Sequence, residues 1–136
     1  MVILRLQSDH LNLDLDYFKK INDTYGHATG DEVLKDFVNV CFKNVRDIDV
    51  VARVGGEEFV IMLPETDVDQ ACVFARRVLE SVASSEVVVG NARIRYTVSI
   101  GITSLQDDTS LDSVSKRVDK ALYEAKNSGR NNIKVI

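Results

Sequence analysis

Two pairs of carboxylates stand at the ends of apolar segments of this chain. Asp14 and Asp16 alternate with leucine in LNLDLD, and Glu57 and Glu58 follow two glycines in VARVGGEEFVIML. Carboxylates that converge at strand ends repel one another unless a cation lies among them. An oxygen ligand set without histidine or thiolate favours Mg²⁺ or Mn²⁺, and Mg²⁺ commonly shares its coordination shell with substrate phosphates. The pairs therefore indicate a metal site for nucleotide chemistry; the alternative is that both are solvated strand ends.

The glycines predict how the second acid pair is held. Gly55 and Gly56 separate two apolar runs and predict a two-residue hairpin turn, whose positive φ angles glycine adopts without steric cost. Glu57 and Glu58 then begin the second strand, on opposite faces. A solvated hairpin tip would by itself account for this segment, so a site is expected only if other elements bring polar groups near the tip.

The first acid pair requires a strand, and the spacing of apolar residues predicts one. LNLDLD, residues 11–16, alternates with period two, which places both aspartates on one face. A turn or short helix follows through YFKKIND. Residues 31–45 are predicted to form an amphipathic helix that begins after Gly30, because apolar residues recur at helical spacing. These residues are Leu34, Phe37, Val38 and Cys41.

The second half of the chain predicts two helices around a second hairpin. Thr66 or Asp67 can cap the first of these helices. Its buried positions are predicted to be Ala71, Phe74, Ala75, Val78 and Val82. EVVVGNARIRYTVSIGI predicts a hairpin with its turn at Gly90 and Asn91. One face of that hairpin would carry Ile94, Tyr96, Val98 and Ile100.

The last helix and the final strand complete the predicted elements. Ser110 can cap this helix. Its inward residues are predicted to be Leu111, Val114, Val118, Ala121, Leu122 and Ala125. The segment NIKVI is predicted to form the last strand, which ends the chain.

The order β-α-α-β-β-α-β-β-α-β predicts the fold class. It is typical of an α/β (α+β) domain with a central, mostly antiparallel sheet flanked by helices, of the ferredoxin-like or polymerase-palm kind. In such a palm, the first strand and the central hairpin can lie side by side. The fold therefore predicts that the two acid pairs meet.

Composition limits the class of protein. The chain has 136 residues, 45% of them hydrophobic and 28% charged, which predicts one soluble globular domain over residues 1–136. The net charge of −4, without a basic block, argues against a nucleic-acid partner. No apolar run approaches the roughly 18 residues of a membrane helix, and MVILRLQSDH lacks the features of a signal peptide, so we expect no membrane insertion and a cytoplasmic location. Cys41 and Cys72 are predicted to be buried thiols without a chemical role.

Three longer motifs carry a resemblance to a known family. DLDYFKKINDTYGHATGDEVL, RVGGEEF and VDKALYEAKNSGRN occur in this order between about Leu11 and the C-terminus. With them the chain resembles the GGDEF family of diguanylate cyclases, in its GGEEF variant, whose members join two GTP molecules into cyclic di-GMP. The resemblance implies a nucleotide-cyclase-like palm, Mg²⁺ or Mn²⁺ as cofactor, and a homodimer in which each protomer brings one GTP.

The resemblance implies roles for the acidic residues. Asp14, the backbone carbonyl of Leu15 and Glu57 would hold the metal ion. Glu58 would hold a second metal ion or help to deprotonate the 3′-hydroxyl, and the division of labour between Glu57 and Glu58 stays open. Lys19 would neutralise charge that develops on the phosphates. Asp16 would lie behind the metal ligands.

It also implies contacts to the triphosphate. The backbone N–H groups of Tyr17 and Phe18, at a strand-to-helix turn, would bind phosphate oxygens. Lys126 and Arg130 would contact the terminal phosphates. The alternative for Lys126 and Arg130 is a cationic helix C-terminus, which the helix dipole favours.

Guanine recognition is implied for a further set of residues. Asn22 and Asp31 match the guanine contacts of the family, and polar groups that pair with guanine reject adenine because its edge would leave them unpaired. Gly55 and Gly56, which lack side chains, would let the nucleotide approach the backbone closely.

Arg46 and Asp49 form an R-x-x-D motif upstream of the glycines, and this motif resembles the inhibitory product site of the family. The guanidinium of Arg46 can pair with phosphate or with guanine acceptors, Asp49 can pair with guanine donors, and Arg77 on the following helix would join them. The alternative is that Arg46 and Asp49 only cap the preceding helix.

The N-terminus departs from the family pattern. Members carry a helix and an Asp-x-Leu-Thr-Gly-Leu-x-Asn-Arg segment before the first strand, and nothing in MVILRLQSDH matches that segment. We therefore expect that this domain is a fragment or has a rebuilt start. We expect sensor or receiver domains in the full-length protein, and whether that protein is anchored in a membrane stays open. The alternative function is an idle receptor for cyclic di-GMP or GTP.

Overall fold

The computed structural model describes residues 8–105 and 110–136. These residues form four helices and seven strands, and the strands are arranged in two sheets. In chain order they are β1 Ser8–Leu15, α1 Phe18–Tyr25, α2 His27–Asn44, β2 Val50–Arg53, β3 Glu58–Pro64, α3 Val68–Ser84, β4 Val87–Val89, β5 Ala92–Ile94, β6 Val98–Leu105, α4 Leu111–Asn127 and β7 Ile133–Val135.

A five-stranded sheet with the order β2-β3-β1-β6-β7 forms the centre of the domain. β1 pairs antiparallel with both β3 and β6, and β7 is the one strand of this sheet that runs parallel to its neighbour. Asp14 of β1 lies opposite Glu58 of β3 in this register. The predicted fold class is confirmed, and so is the predicted meeting of the first strand with the central hairpin.

The two faces of the sheet are covered by different helices. The leucines of β1 are fully buried in one cluster with Phe37 of α2 and Val78 of α3. α4 packs on the other face, where Gly101 of β6 leaves no room for a side chain. A Cβ at Gly101 would lie 2.8 Å from the carbonyl oxygen of Val118 and would overlap the backbone nitrogen of Leu122. The alternation along β1 therefore directs leucines to α2 and α3, and Asp14 to the α4 face.

The predicted helix caps and helix stripes are confirmed where the structure describes them. Asp67 caps α3 in a reciprocal arrangement with Gln70, and Ser110 accepts a hydrogen bond from the Ser113 N–H at the start of α4. The predicted stripe of α3 is buried, and Val114, Val118, Ala121 and Ala125 of α4 are buried as well. Leu122 is half-buried, and the predicted inward position of the Leu111 side chain lies outside the described residues.

The helix predicted over residues 31–45 begins earlier, at His27. Gly30 is therefore inside α2 instead of preceding it. Gly26, with φ of 92°, separates α1 from α2 and ends the first helix. Of the two cysteines, Cys41 is buried as predicted, whereas Cys72 is only half-buried.

Both hairpin predictions need correction. Gly55 and Gly56 do not have positive φ angles, because the turn is longer than two residues: β2 ends at Arg53 and β3 begins at Glu58. The Val54 and Gly55 N–H groups both donate to the Glu58 carbonyl and close this wider turn. Glu57 therefore precedes the strand, and Glu58 is its first residue.

The second predicted hairpin is divided between the two sheets. β4 and β5 form a two-stranded ribbon around the predicted turn at Gly90, which has a φ of 60°. Residues 95–97 then leave the ribbon, and β6 joins the central sheet beside β1. In the described part of the chain, no helix is both long and apolar enough to cross a membrane.

Candidate functional site

Asp14 lies near the C-terminal end of β1. The turn between β2 and β3 lies at the same end of the sheet. Asp14 is 4% exposed and stands opposite Glu58. The Leu15 N–H donates a hydrogen bond of 3.2 Å to the carbonyl oxygen of Glu57. The structure therefore brings the predicted metal ligands Asp14, Leu15 and Glu57 to one place, with Glu58 beside them.

The carboxylate of Asp14 has a cationic partner. Lys126 Nζ of α4 donates to Asp14 Oδ2 at 2.9 Å. Burial raises the pKa of Asp14 above its usual value; the Lys126 ammonium opposes this shift, while the Glu57 and Glu58 carboxylates add to it. The three acids are thus close enough to repel one another, and Lys126 compensates part of this repulsion.

The donor set is of the kind that a hard divalent cation prefers, because it consists of carboxylate and carbonyl oxygens. One of these oxygens, Asp14 Oδ2, already has a cationic partner in the Lys126 ammonium. Over residues 8–105 and 110–136, however, no three side chains of His, Cys, Asp or Glu are already arranged to hold a metal ion. The acids are therefore near one another but not drawn together around a single point.

Asp16 has a different environment from Asp14. Its carboxylate accepts hydrogen bonds from Thr97 Oγ1 and Ser99 Oγ, each 2.6 Å long, and from the Asn131 N–H at 3.0 Å. It joins the end of β1 to β6 and to the segment before β7. With both oxygens engaged, Asp16 supports the strand end that carries Asp14.

The start of α1 presents free backbone donors. Tyr17 precedes the helix in the left-handed conformation, with φ of 55°, and no side chain in residues 8–105 or 110–136 caps the helix. The N–H groups of the first turn of a helix have no partner within the helix and attract anions. The Arg130 guanidinium lies 4.6 Å from the centre of the Tyr17 ring, which holds this cation beside the turn.

A cleft of about 450 Å³ adjoins the turn between β2 and β3. It brings together predicted residues from three elements, namely Phe18, Lys19, Asn22, Asp31, Gly56 and Glu57. Asp14, Glu58, Lys126 and Arg130 are not part of this lining. The predicted base contacts and the hairpin thus share one cleft, and the acid–lysine pair stands outside it.

Asn22 packs closely on α2. A Cβ added to Gly30 would overlap Asn22 Oδ1 and would come within 3.2 Å of Phe18 Cζ. The amide oxygen of Asn22 is buried and has no hydrogen-bond partner within the described residues. A buried acceptor without a partner carries a free-energy cost that a ligand donor would remove.

Arg53 lines the same cleft and was missed by the sequence reasoning. Its Nη2 donates to the Gly56 carbonyl at 2.7 Å, and its Nε lies 3.1 Å from the carbonyl oxygens of both Gly55 and Gly56. The guanidinium therefore holds the wider turn. The available signal was an arginine two residues before the glycine pair.

The R-x-x-D pair lies in a second cleft, of about 280 Å³, which Arg77 also lines. Arg46 and Asp49 form an ion pair with an N–O distance of 2.8 Å. Arg46 Nη2 also donates to the Pro64 carbonyl and to Thr66 Oγ1. These bonds join the segment after α2 to the β3–α3 connection. None of the described hydrogen bonds of the Arg46 side chain goes to a residue of α2. These bonds therefore do not support the alternative that Arg46 caps the preceding helix.

The chain is similar in sequence to proteins of a known family. The profile of the family described as "Diguanylate cyclase, GGDEF domain" matches residues 6–132. Diguanylate cyclase A of Treponema denticola is 44% identical over 124 residues, which cover 90% of this chain and 33% of that protein. The response regulator PleD of Caulobacter vibrioides is 45% identical over 125 residues, which cover 89% of this chain and 27% of PleD.

Solved structures share the fold. The crystal structure of the GGDEF domain of DgcB from Caulobacter crescentus, in complex with c-di-GMP, superposes with a TM-score of 0.91 at 32% identity. The match covers 96% of this chain and 78% of that one. By contrast, this chain spans a third or less of the curated relatives named above.

Proposed function

Because this chain belongs to the GGDEF-domain family of diguanylate cyclases, we propose that it condenses two GTP molecules into cyclic di-GMP and releases pyrophosphate. The observation that carries the proposal is the position of Asp14 beside the Glu57–Glu58 hairpin, next to a cleft lined by Asn22 and Asp31. Candidate metal ligands beside a cleft with candidate base contacts suit a nucleoside triphosphate.

The proposal assigns a divalent ion, Mg²⁺ or Mn²⁺, to Asp14, the Leu15 carbonyl and Glu57. Held by these residues, such an ion would supply positive charge to the α-phosphate and to the leaving pyrophosphate. The amides of Tyr17 and Phe18 bind phosphate oxygens at the start of α1. Among the residues that the structure describes, no side chain caps those amides, which supports the assignment.

The remaining substrate contacts are assigned by position. Asn22 and Asp31 bind the guanine edge, and Gly55 and Gly56 give the nucleotide access to the backbone of the turn. Lys126, Arg130 and Lys19 supply positive charge to the triphosphate. The buried, unpaired Asn22 oxygen and the exposed Lys19 in one cleft support these assignments.

The reaction follows from two GTP molecules held in this way. The 3′-oxygen of each GTP attacks the α-phosphorus of the other. In each of these two steps the new O–P bond forms as the bond to the bridging oxygen of pyrophosphate breaks, so the ring closes with release of two pyrophosphates. The hydroxyl proton passes to a base, and Glu58 either accepts it or holds a second metal ion. Because each protomer offers one such cleft, closing the ring takes a homodimer.

Control of this activity is assigned to the second cleft. Arg46, Asp49 and Arg77 bind cyclic di-GMP there and inhibit the enzyme by holding the two GTP sites apart. The DgcB GGDEF domain was crystallised with c-di-GMP, which supports product binding by a domain of this fold. We also propose that the full-length protein carries sensor or receiver domains and that this domain is located in the cytoplasm.

The test is to incubate the protein with GTP and Mg²⁺ and to separate the products by chromatography. We expect cyclic di-GMP and pyrophosphate, with no cyclic product from ATP. A dimeric protein that binds GTP or cyclic di-GMP but makes no cyclic dinucleotide would contradict the proposal and would indicate a receptor.

A further inference from the structure

The ion pair between Lys126 and Asp14 joins two parts of the chain that are distant in sequence. The residues are 112 positions apart, and their side chains are 31% and 6% exposed, respectively. Within the described residues, no other lysine or arginine forms an ion pair with Asp14, Glu57 or Glu58. Lys126 is therefore the one described cation that forms an ion pair with any of these three acids.

The fold holds the lysine close to the acids. Because Gly101 has no Cβ, the backbone of α4 approaches β6 closely between Val118 and Leu122. Lys126 follows one turn after Leu122, in the last turn of the same helix. Its aliphatic stem is flexible, so the ammonium can move between neighbouring anions while the helix stays in place.

We propose that Lys126 and the divalent ion exchange at Asp14. Without nucleotide, the ammonium occupies the carboxylate and competes with the metal ion for it. When the triphosphate binds, its oxygens give the ammonium a new anionic partner and free Asp14 for the metal ion. This inference rests on the proposed function, because it takes Asp14 as a metal ligand and a triphosphate as substrate.

The exchange makes metal and nucleotide binding cooperative. A metal ion that arrives alone must break a charge-assisted hydrogen bond to a buried carboxylate, which weakens its binding. A metal ion that arrives with nucleotide does not bear this cost, because Lys126 already contacts phosphate. By linkage, the same factor favours nucleotide binding when the metal ion is present. Lys126 thus discourages metal binding in the absence of substrate.

The test is a Mn²⁺ titration of the nucleotide-free protein at mildly alkaline pH, followed by calorimetry or by electron paramagnetic resonance of free Mn²⁺. Lys126→Met should bind Mn²⁺ about tenfold more tightly than the wild type, since a charge-assisted hydrogen bond no longer competes. Lys120→Met, which removes an exposed charge from the same helix, should match the wild type. Circular dichroism verifies the fold, and Lys126→Gln serves as a second variant of the same kind.

A double variant tests whether the gain in Mn²⁺ affinity arises at Asp14. In Asp14→Asn/Lys126→Met, the gain in Mn²⁺ affinity should disappear because the ligand itself is weakened. Equal or weaker Mn²⁺ binding by Lys126→Met, or no measurable binding by either protein, would overturn the exchange. So would a gain that persists in the double variant. The titration contains no GTP, so its outcome is independent of whether cyclic di-GMP is formed.

Discussion

Asp14 and Asp16 carry the same group two residues apart, and their surroundings give them different roles. Three donors bind the carboxylate of Asp16, whereas within the described residues Asp14 accepts one side-chain hydrogen bond, from Lys126. This remaining acceptor capacity is the reason for proposing Asp14, and not Asp16, as the metal ligand. The period-two pattern predicts that both residues share a face, but the partners that distinguish them come from β6, α4 and the segment before β7.

Asp9 is a buried carboxylate at the opposite end of β1. Its Oδ1 accepts a hydrogen bond from Ser104 Oγ, and its Oδ2 has no partner within the described residues. Burial raises the pKa of Asp9 above its usual 3.8. The proton is therefore held more tightly in the folded state than in the unfolded state. The stability this confers is complete below the usual pKa and is lost as pH rises through the raised pKa.

We predict that Asp9→Asn abolishes this pH dependence. The free energy of unfolding of the variant should rise relative to the wild type as pH increases from acidic values to neutrality, because the amide does not ionise. Urea denaturation over that range measures the difference, with Asp47→Asn in an exposed loop as control. Parallel curves for Asp9→Asn and wild type would show that Asp9 ionises without cost.

The two arginines of the second cleft differ in how many hydrogen bonds they make to the rest of the protein. Arg46 donates hydrogen bonds to Asp49, Pro64 and Thr66, so its removal should affect stability as well as the proposed ligand binding. Arg77 lines the cleft with its guanidinium 5.9 Å from the centre of the Phe74 ring. Arg77 is therefore the cleaner probe of product inhibition.

We predict that Arg77→Ala raises the concentration of cyclic di-GMP needed for half-inhibition about tenfold while keeping the melting temperature, since one charged contact to the ligand is lost. Arg46→Ala should lose inhibition and also some thermal stability. Arg76→Ala, which removes the exposed neighbouring charge, is the control. Inhibition that persists unchanged in both Arg46→Ala and Arg77→Ala would assign the R-x-x-D pair to structure alone.

At the scale of elements, Gly30 links the packing of α1 on α2 to Asn22, the proposed base contact. A Cβ there would overlap Asn22 Oδ1 and press on Phe18. Alanine at an interior helix position otherwise stabilises a protein by roughly 1 kcal/mol relative to glycine. Intrinsic propensity and close packing therefore predict opposite effects of the same substitution.

We expect Gly30→Ala to weaken GTP binding and to reduce the preference for GTP over ATP, because Asn22 must move. The gain in helix propensity should not appear as added stability. Calorimetry with both nucleotides and thermal unfolding measure the two effects. A more stable variant with unchanged GTP preference would mean that Asn22 does not contact the base.

The elements were predictable from apolar spacing, but two of their connections were not. Ile94, Tyr96, Val98 and Ile100 alternate without interruption and are all buried. Nothing in this pattern marks residues 95–97 as the point where the chain leaves β4 and joins β1. Similarly, the glycine pair predicts a tight turn, whereas Arg53 holds a wider one through a side chain outside the local pattern.

For the molecule as a whole, the sheet order explains how one end of the sheet collects residues from distant parts of the sequence. β1 is central, with β3 and β6 on its two sides, so the start of α1, the β2–β3 turn and the end of α4 all lie near the C-terminal end of β1. The alternation of strands and helices predicts this palm. Its ligand contacts were implied by the motif resemblance, because side chains that meet across elements leave no local signal.

We propose that Asp14 and Glu57 organise a metal-dependent condensation of GTP. The most direct test is the rate of cyclic di-GMP formation from GTP and Mg²⁺ by Glu57→Gln and by the wild type, in a dimeric protein that includes this domain. We predict that turnover falls at least about a hundredfold, because the amide removes a charged metal ligand. Circular dichroism should remain unchanged, since Glu57 precedes β3 and its side chain has no described structural bond. A Glu57→Gln variant that forms cyclic di-GMP at a near-normal rate would contradict the account.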